Sequence, residues 1–107
     1  MTGQEFVKKC FNEKNTTLEM YLNLNSGTAV SEKIKEITKL GVNLKDLRML
    51  VNQILNETYY TVLMALDGEA SLDGTQMTYQ VIDEENNCIN PRGELSDTAF
   101  ELFMDEE

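Results

Sequence analysis

The segment Leu44–Leu66, which contains neither glycine nor proline, constrains the fold of this chain most strongly. Asn43 precedes it as a suitable N-cap, and Asp67 and Gly68 follow it as a natural stop. Apolar residues recur along it at helical spacing and spread beyond one face, which is typical of a buried helix. Thr58–Val62 also has strand propensity, but strict alternation is absent. The segment therefore predicts one central helix, roughly 34 Å long at 1.5 Å per residue.

Shorter helices are predicted before this central one. The spacing of apolar residues favours a helix over Thr2–Lys14, with a break at Asn15. A short helix over 16–22 follows, and Thr28–Leu40 forms a third with a mixed, solvated outer face. The N-terminal half of the chain is therefore expected to be entirely helical.

The pattern changes beyond the central helix. Gln76–Asp83 alternates apolar and polar residues, which indicates a half-buried strand. A turn at 84–87 and a short return strand at Cys88–Asn90 would complete a β-hairpin, packed on the long helix because a lone hairpin is marginally stable. A last helix starts at Ser96 or Asp97 and runs toward an acidic C-terminal end at 105–107. The fold class predicted is thus α+β, a single mostly helical domain over residues 1–107.

Charge is distributed unevenly along the chain. Residues 1–50 carry eight Lys or Arg and six Asp or Glu, whereas residues 51–107 carry one Arg and thirteen Asp or Glu. The net charge of −10 exceeds the magnitude of about 2 to 8 that suits a small soluble domain. Uncompensated charge repels itself in the compact state, but it also steers partners of opposite charge. Steering toward a basic partner and simple solubilisation both explain the acidic half.

Composition also argues against several function classes. The chain has no histidine and only two cysteines, so neither histidine-based catalysis nor a structural zinc site is expected. Leu72 and Thr78 occupy the positions where a calcium loop beginning at Asp67 needs Gly and Glu. The strong negative charge opposes nucleic-acid binding. No apolar run approaches the ~20 residues of a membrane span. We therefore predict a cytoplasmic protein that is not an enzyme and uses no cofactor or metal.

The sequence YYTVLMALDGEA at 59–70 resembles a pattern, YYxxLxxLDGxA, found in small acidic bacterial immunity proteins. Gln76, Tyr79 and the acidic turn that begins at Asp83 extend the similarity, which covers Asn56–Phe103. Proteins of this kind neutralise polymorphic toxins, including those of contact-dependent growth inhibition systems. The resemblance implies that the chain binds a cognate toxin domain, and it carries no fixed binding motif from which residues can be transferred.

Charge and resemblance together predict an immunity protein that neutralises a basic toxin domain, such as a nuclease, through an acidic surface. An inhibitor that mimics nucleic acid and an acidic adaptor subunit of a larger assembly are the alternatives. The candidate partner-binding residues are the carboxylates of the predicted turn and hairpin region, with three more near the last helix. They are Asp67, Glu69, Asp73, Asp83, Glu84, Glu85, Glu94, Asp97 and Glu101.

Overall fold

The computed structural model describes residues 1–104, which form a helical domain of 48 × 29 × 25 Å. Its helices are α1 (Gly3–Leu22), α2 (Ala29–Lys39), α3 (Leu44–Leu66) and α4 (Glu94–Ala99), and α4 continues as a π-helical turn over Phe100–Met104. Helix α1 packs along α3, α2 covers one end of this pair, and α4 packs against both α1 and α3 at the other end. The predicted acidic residues 105–107 lie outside the described residues.

The prediction of the central helix is confirmed, because α3 has the predicted bounds and contains Thr58–Val62. It is less buried than its apolar composition suggested, since Leu50 and Ile54 remain about half exposed. The predicted break at Asn15 is wrong. Helix α1 runs unbroken to Leu22 because a single buried face, which includes Val7 and Leu18, continues past that position.

The α+β fold class with a packed β-hairpin is wrong. Residues 1–104 contain no strand, and the segment between α3 and α4 has only isolated bridges at Leu72–Thr75 and Ile82–Cys88. The alternation in this segment partly survives, since Tyr79 and Val81 are half-buried between exposed neighbours. Most backbone groups of this segment, however, do not pair in a β-ladder. The Asn90 side chain forms hydrogen bonds with some of them instead.

Asn90 holds this extended segment against the end of α3. Its side-chain oxygen accepts a hydrogen bond from the backbone N–H of Val81 at 2.8 Å. Its amide nitrogen donates to the carbonyl oxygens of Tyr79 and Leu66, at 2.8 Å and 3.3 Å. The Tyr79 N–H also donates to the Leu66 carbonyl at 2.9 Å. A buried asparagine thus satisfies the backbone groups that a second strand would otherwise satisfy.

Two hydrophobic clusters lie at opposite ends of the α1–α3 pair. One cluster is centred on Phe103, which stacks on Tyr59 at 5.7 Å and meets Phe11 edge-on at 5.3 Å. The other joins α2 to the pair through buried residues that include Leu22 and Ile34. The aromatic cluster anchors the C-terminal helix and hence the segment that precedes it.

Candidate partner-binding surface

The nine predicted carboxylates lie in residues 67–101, which we call the acidic end. This end is formed around the C-terminus of α3, the N-terminus of α1 and helix α4. A Cβ added to Gly3 would lie 2.7 Å from the Ile89 carbonyl oxygen and 2.8 Å from the Cβ of Glu94, so α1 approaches the acidic end closely. Residues 67–101, which carry most of the excess anions, therefore lie at one end of an elongated molecule.

Asp67 is buried, contrary to the expectation of an exposed carboxylate. One oxygen of its carboxylate accepts hydrogen bonds from the backbone N–H groups of Leu95 and Ser96 at 2.9 Å and 2.8 Å. The other oxygen accepts from the Asn90 amide at 3.1 Å. Gly93, the N-cap residue of α4, offers no side-chain cap. Asp67, which directly follows α3, supplies that cap. Its carboxylate therefore has a structural role.

Asp83 also organises its own loop. Its Oδ1 accepts from the backbone N–H groups of Asn87 and Glu85, both at 3.0 Å, and its Oδ2 lies 3.4 Å from the N-terminal ammonium of Met1. These groups lower the pKa of the Asp83 carboxyl, and the backbone N–H of Asn87 has the largest effect. Asp83 thus fixes the turn that presents Glu84 to solvent.

Four of the nine carboxylates are exposed on loops of the acidic end, and two more are exposed on the C-terminal helical segment. The chain has no Lys or Arg between Arg48 and Arg92. Within the described residues, Asp83 is the only one of the nine with an ion pair. Six of the nine are exposed and make no ion pair within residues 1–104: Glu69, Asp73, Glu84, Glu85, Asp97 and Glu101.

Glu94 is intermediate in exposure. Both of its carboxylate oxygens accept from the backbone N–H of Arg92, at 3.0 Å and 2.9 Å. Asp97 and Glu94 line a shallow groove between α4 and Gly3, and Glu101 lines a second groove together with Glu5 and Lys8. The structure therefore brings the C-terminal carboxylates to the N-terminal part of α1, which no local sequence pattern indicated.

The sequence pattern did not indicate the cleft that lies between α1 and α3, where polar and charged residues meet Leu18 and Met49. The cleft measures about 400 Å³ and contains the buried ammonium of Lys14, which donates to the Asn52 side-chain oxygen at 2.9 Å and lies 4.8 Å from the Phe11 ring centre. The buried Asn56 has a side-chain oxygen with no hydrogen-bond partner among the described residues. The available signal was the position of Lys14, seven residues after Val7 on the inward face of α1.

The described residues contain no group of three or more Asp, Glu or Cys placed to hold a metal ion. Cys10 and Cys88 are both free thiols, and burial raises the pKa of the Cys10 thiol. A raised pKa reduces the thiolate fraction, so Cys10 is poorly suited to act as a nucleophile. No helix within 1–104 combines the length and apolarity of a membrane span.

Comparison with protein-family models, with curated proteins and with solved structures found no match to this chain.

Proposed function

We propose that this chain is an immunity protein, which binds a basic bacterial toxin domain through the acidic end and neutralises it in the cytoplasm without catalysis. The observation that carries the proposal is the set of six exposed carboxylates of the acidic end, four of which lie in the stretch 49–91, which has no Lys or Arg. Such a surface attracts a basic partner and repels nucleic acid. The resemblance of residues 59–70 to immunity proteins supports the same conclusion.

The hydrogen bonds that hold parts of the acidic end in place support a binding role. Asn90 and Asp67 hold the loop backbone against α3 and α4 through hydrogen bonds of 2.8–3.3 Å. Asp83 fixes the turn beside Glu84 and Glu85. A surface that is ordered before association loses less conformational entropy when it binds, and it therefore binds more tightly for the same contacts.

The location of the charge supports a protein partner in particular. The exposed carboxylates belong to the connection between α3 and α4 and to one helical segment, and they do not follow a single regular row along one helix. A mimic of nucleic acid would need anions spaced like phosphates along one face. A clustered acidic end instead suits the basic active site of a toxin domain, where carboxylates would take the place of substrate phosphates.

The proposal predicts that a gene beside that of this chain encodes a secreted protein whose variable C-terminal domain is the toxin, and the absence of such a gene would count against it. The test uses that C-terminal domain. That domain is expressed from an inducible promoter in a bacterium with or without this chain, and surviving colonies are counted. We expect survival only when this chain is present, together with a stable complex of the two purified proteins. Full toxicity in the presence of well-expressed, folded chain would overturn the proposal.

A further inference from the structure

Apolar side chains are exposed among the carboxylates of the acidic end. Leu72, Met77 and Ile82 expose 39%, 52% and 53% of their surface. Each belongs to the loop segment that joins α3 to α4, and Leu72 immediately precedes Asp73. Burial of apolar surface is favourable by about 25 cal/mol per Å², so contact with another surface would stabilise these three side chains.

Leu72, Met77 and Ile82 are not among the residues that pack this segment against the hydrophobic clusters. Val81 contacts the aromatic cluster, and Ile89 is buried, so other residues attach this segment to the helices. Ile82 points outward from the same extended run in which Val81 points inward. The hydrogen bonds that fix the run come from the backbone and from Asn90. The exposed apolar side chains are therefore available for another surface.

We propose that Leu72, Met77 and Ile82 are the apolar anchors of the interface with the basic toxin domain, and that the exposed carboxylates form its charged rim. This inference rests on the proposed function and specifies its interface. Protein interfaces commonly combine an apolar centre with a polar rim, and Met is enriched in them. Charge complementarity selects a basic protein domain as the occupant, because a second copy of this chain, whose net charge is −10, would be repelled. Apolar pockets on that domain would receive the three anchors.

The two kinds of residue have different kinetic roles. The carboxylates act at a distance and accelerate encounter with the basic partner. Apolar anchors act only after contact, when they exclude water, so they slow dissociation. Truncation of an anchor should therefore increase the dissociation rate and leave the association rate nearly unchanged.

The chain offers a matched control for each anchor. On helix α3, Ile54 exposes 54% of its surface, against 53% for Ile82. Met49 exposes 54%, against 52% for Met77. The members of each pair have the same side chain and nearly the same exposure, but only one of them belongs to the acidic end. A general effect of surface hydrophobicity would change both members equally.

The experiment uses the purified toxin domain encoded by the neighbouring gene. Its dissociation rate is measured from the variants Ile82→Ala, Ile54→Ala, Met77→Ala and Met49→Ala, together with the melting temperature of each variant. We expect dissociation about tenfold faster for Ile82→Ala or Met77→Ala, equivalent to about 1.4 kcal/mol. The α3 controls should remain within about twofold of the wild type.

The outcomes separate this inference from the function on which it rests. If the wild-type chain binds the toxin domain but Ile82→Ala and Met77→Ala dissociate at the same rate as their controls, the anchors are wrong and the proposed function stands. If the wild-type chain does not bind, the proposed function is wrong and this inference with it. A melting temperature equal to that of the wild type assigns any faster dissociation to lost interface contacts.

Discussion

The buried carboxylate of Asp67 accepts hydrogen bonds from both the backbone N–H and the hydroxyl of Ser96, at 2.8 Å and 2.9 Å. Asp67 follows the last residue of α3, and Ser96 lies in the first turn of α4. One side chain therefore joins the end of the central helix to the start of the C-terminal one. Since the loop between them carries the exposed carboxylates, this contact sets the geometry of the acidic end.

We expect Asp67→Asn to lower the free energy of unfolding by roughly 1–3 kcal/mol, because buried donors lose their charged acceptor. Asp73→Asn is the matched control. Asp73 is exposed with a positive φ of 50°, a conformation that Asn tolerates, so its effect should stay within about 0.5 kcal/mol. Urea unfolding of the two variants measures both values. Equal stability of the two variants would remove the structural role assigned to Asp67.

The sequence predicted the helices better than it predicted the segment between them. The absence of breakers in Leu44–Leu66 leaves the backbone one regular way to pair its polar groups, so both ends of α3 were predictable. The alternation in Gln76–Asp83 placed Tyr79 and Val81 correctly on one inward face, but it put Met77 on that face too, and Met77 is exposed. It could not reveal that the Asn90 side chain, and not a second strand, would satisfy the Val81 N–H.

The buried polar groups were also beyond the reach of the sequence. Asp67 followed by Gly68 has the composition of an exposed turn, and only the arrival of α4 some 28 residues later buries it. Lys14 interrupts an apolar face of α1, and its ammonium donates a hydrogen bond to Asn52 of α3, which lies 38 residues away in the sequence. Long-range contacts of this kind leave no local pattern. The exposed charges of Glu84 and Glu85 needed no such contact and were predictable from composition.

The side-chain oxygen of Asn56, which has no hydrogen-bond donor among residues 1–104, leads to a second prediction. Replacement by an apolar residue removes a buried acceptor that has no donor among the described residues, and Leu has the better helix propensity. Asn56→Leu should therefore raise the free energy of unfolding by about 1 kcal/mol. Asn52→Leu, one helical turn away, should lower it by a similar amount because it removes an acceptor of the Lys14 ammonium.

Thermal and urea unfolding of these two variants provide the measurement. Opposite signs for Asn56→Leu and Asn52→Leu would match the hydrogen bonding seen in the cleft. A marked loss of stability in Asn56→Leu would contradict the prediction, because it would mean that the Asn56 amide makes a stabilising contact.

The turn at Asp83 predicts a specific pH dependence. The N–H groups of Asn87 and Glu85 and the N-terminal ammonium lower the pKa of the Asp83 carboxyl in the folded state. A lowered pKa stabilises the fold at pH values above the unfolded-state pKa, near 4. This contribution is lost as the pH falls through the folded-state pKa, where the carboxyl becomes protonated in both states.

The wild type should therefore be more stable than Asp83→Asn at pH 7, and the difference should shrink progressively below about pH 4. Urea unfolding of both proteins across the range from pH 7 to pH 2 measures it. The comparison cancels the titration of the many other carboxylates, because they are common to the two proteins. A constant difference between the two stability curves would show that the Asp83 charge does not stabilise the turn.

The last prediction concerns the association rate, and it depends on the proposed function. Long-range attraction between the acidic end and a basic toxin domain should weaken as the Debye length falls from about 10 Å at 0.1 M salt to about 3 Å at 1 M. Reversal of Glu84 and Glu85 to Lys should slow association by about tenfold at low salt and much less at high salt. Reversal of Glu32 and Glu36 on α2 changes the net charge equally but lies outside the acidic end, so it should slow association far less. Stopped-flow mixing with the toxin domain, with melting temperatures as a check on folding, measures these rates. Association that is independent of salt, or slowed equally by both reversals, would mean that the acidic end does not steer its partner and only keeps the protein soluble.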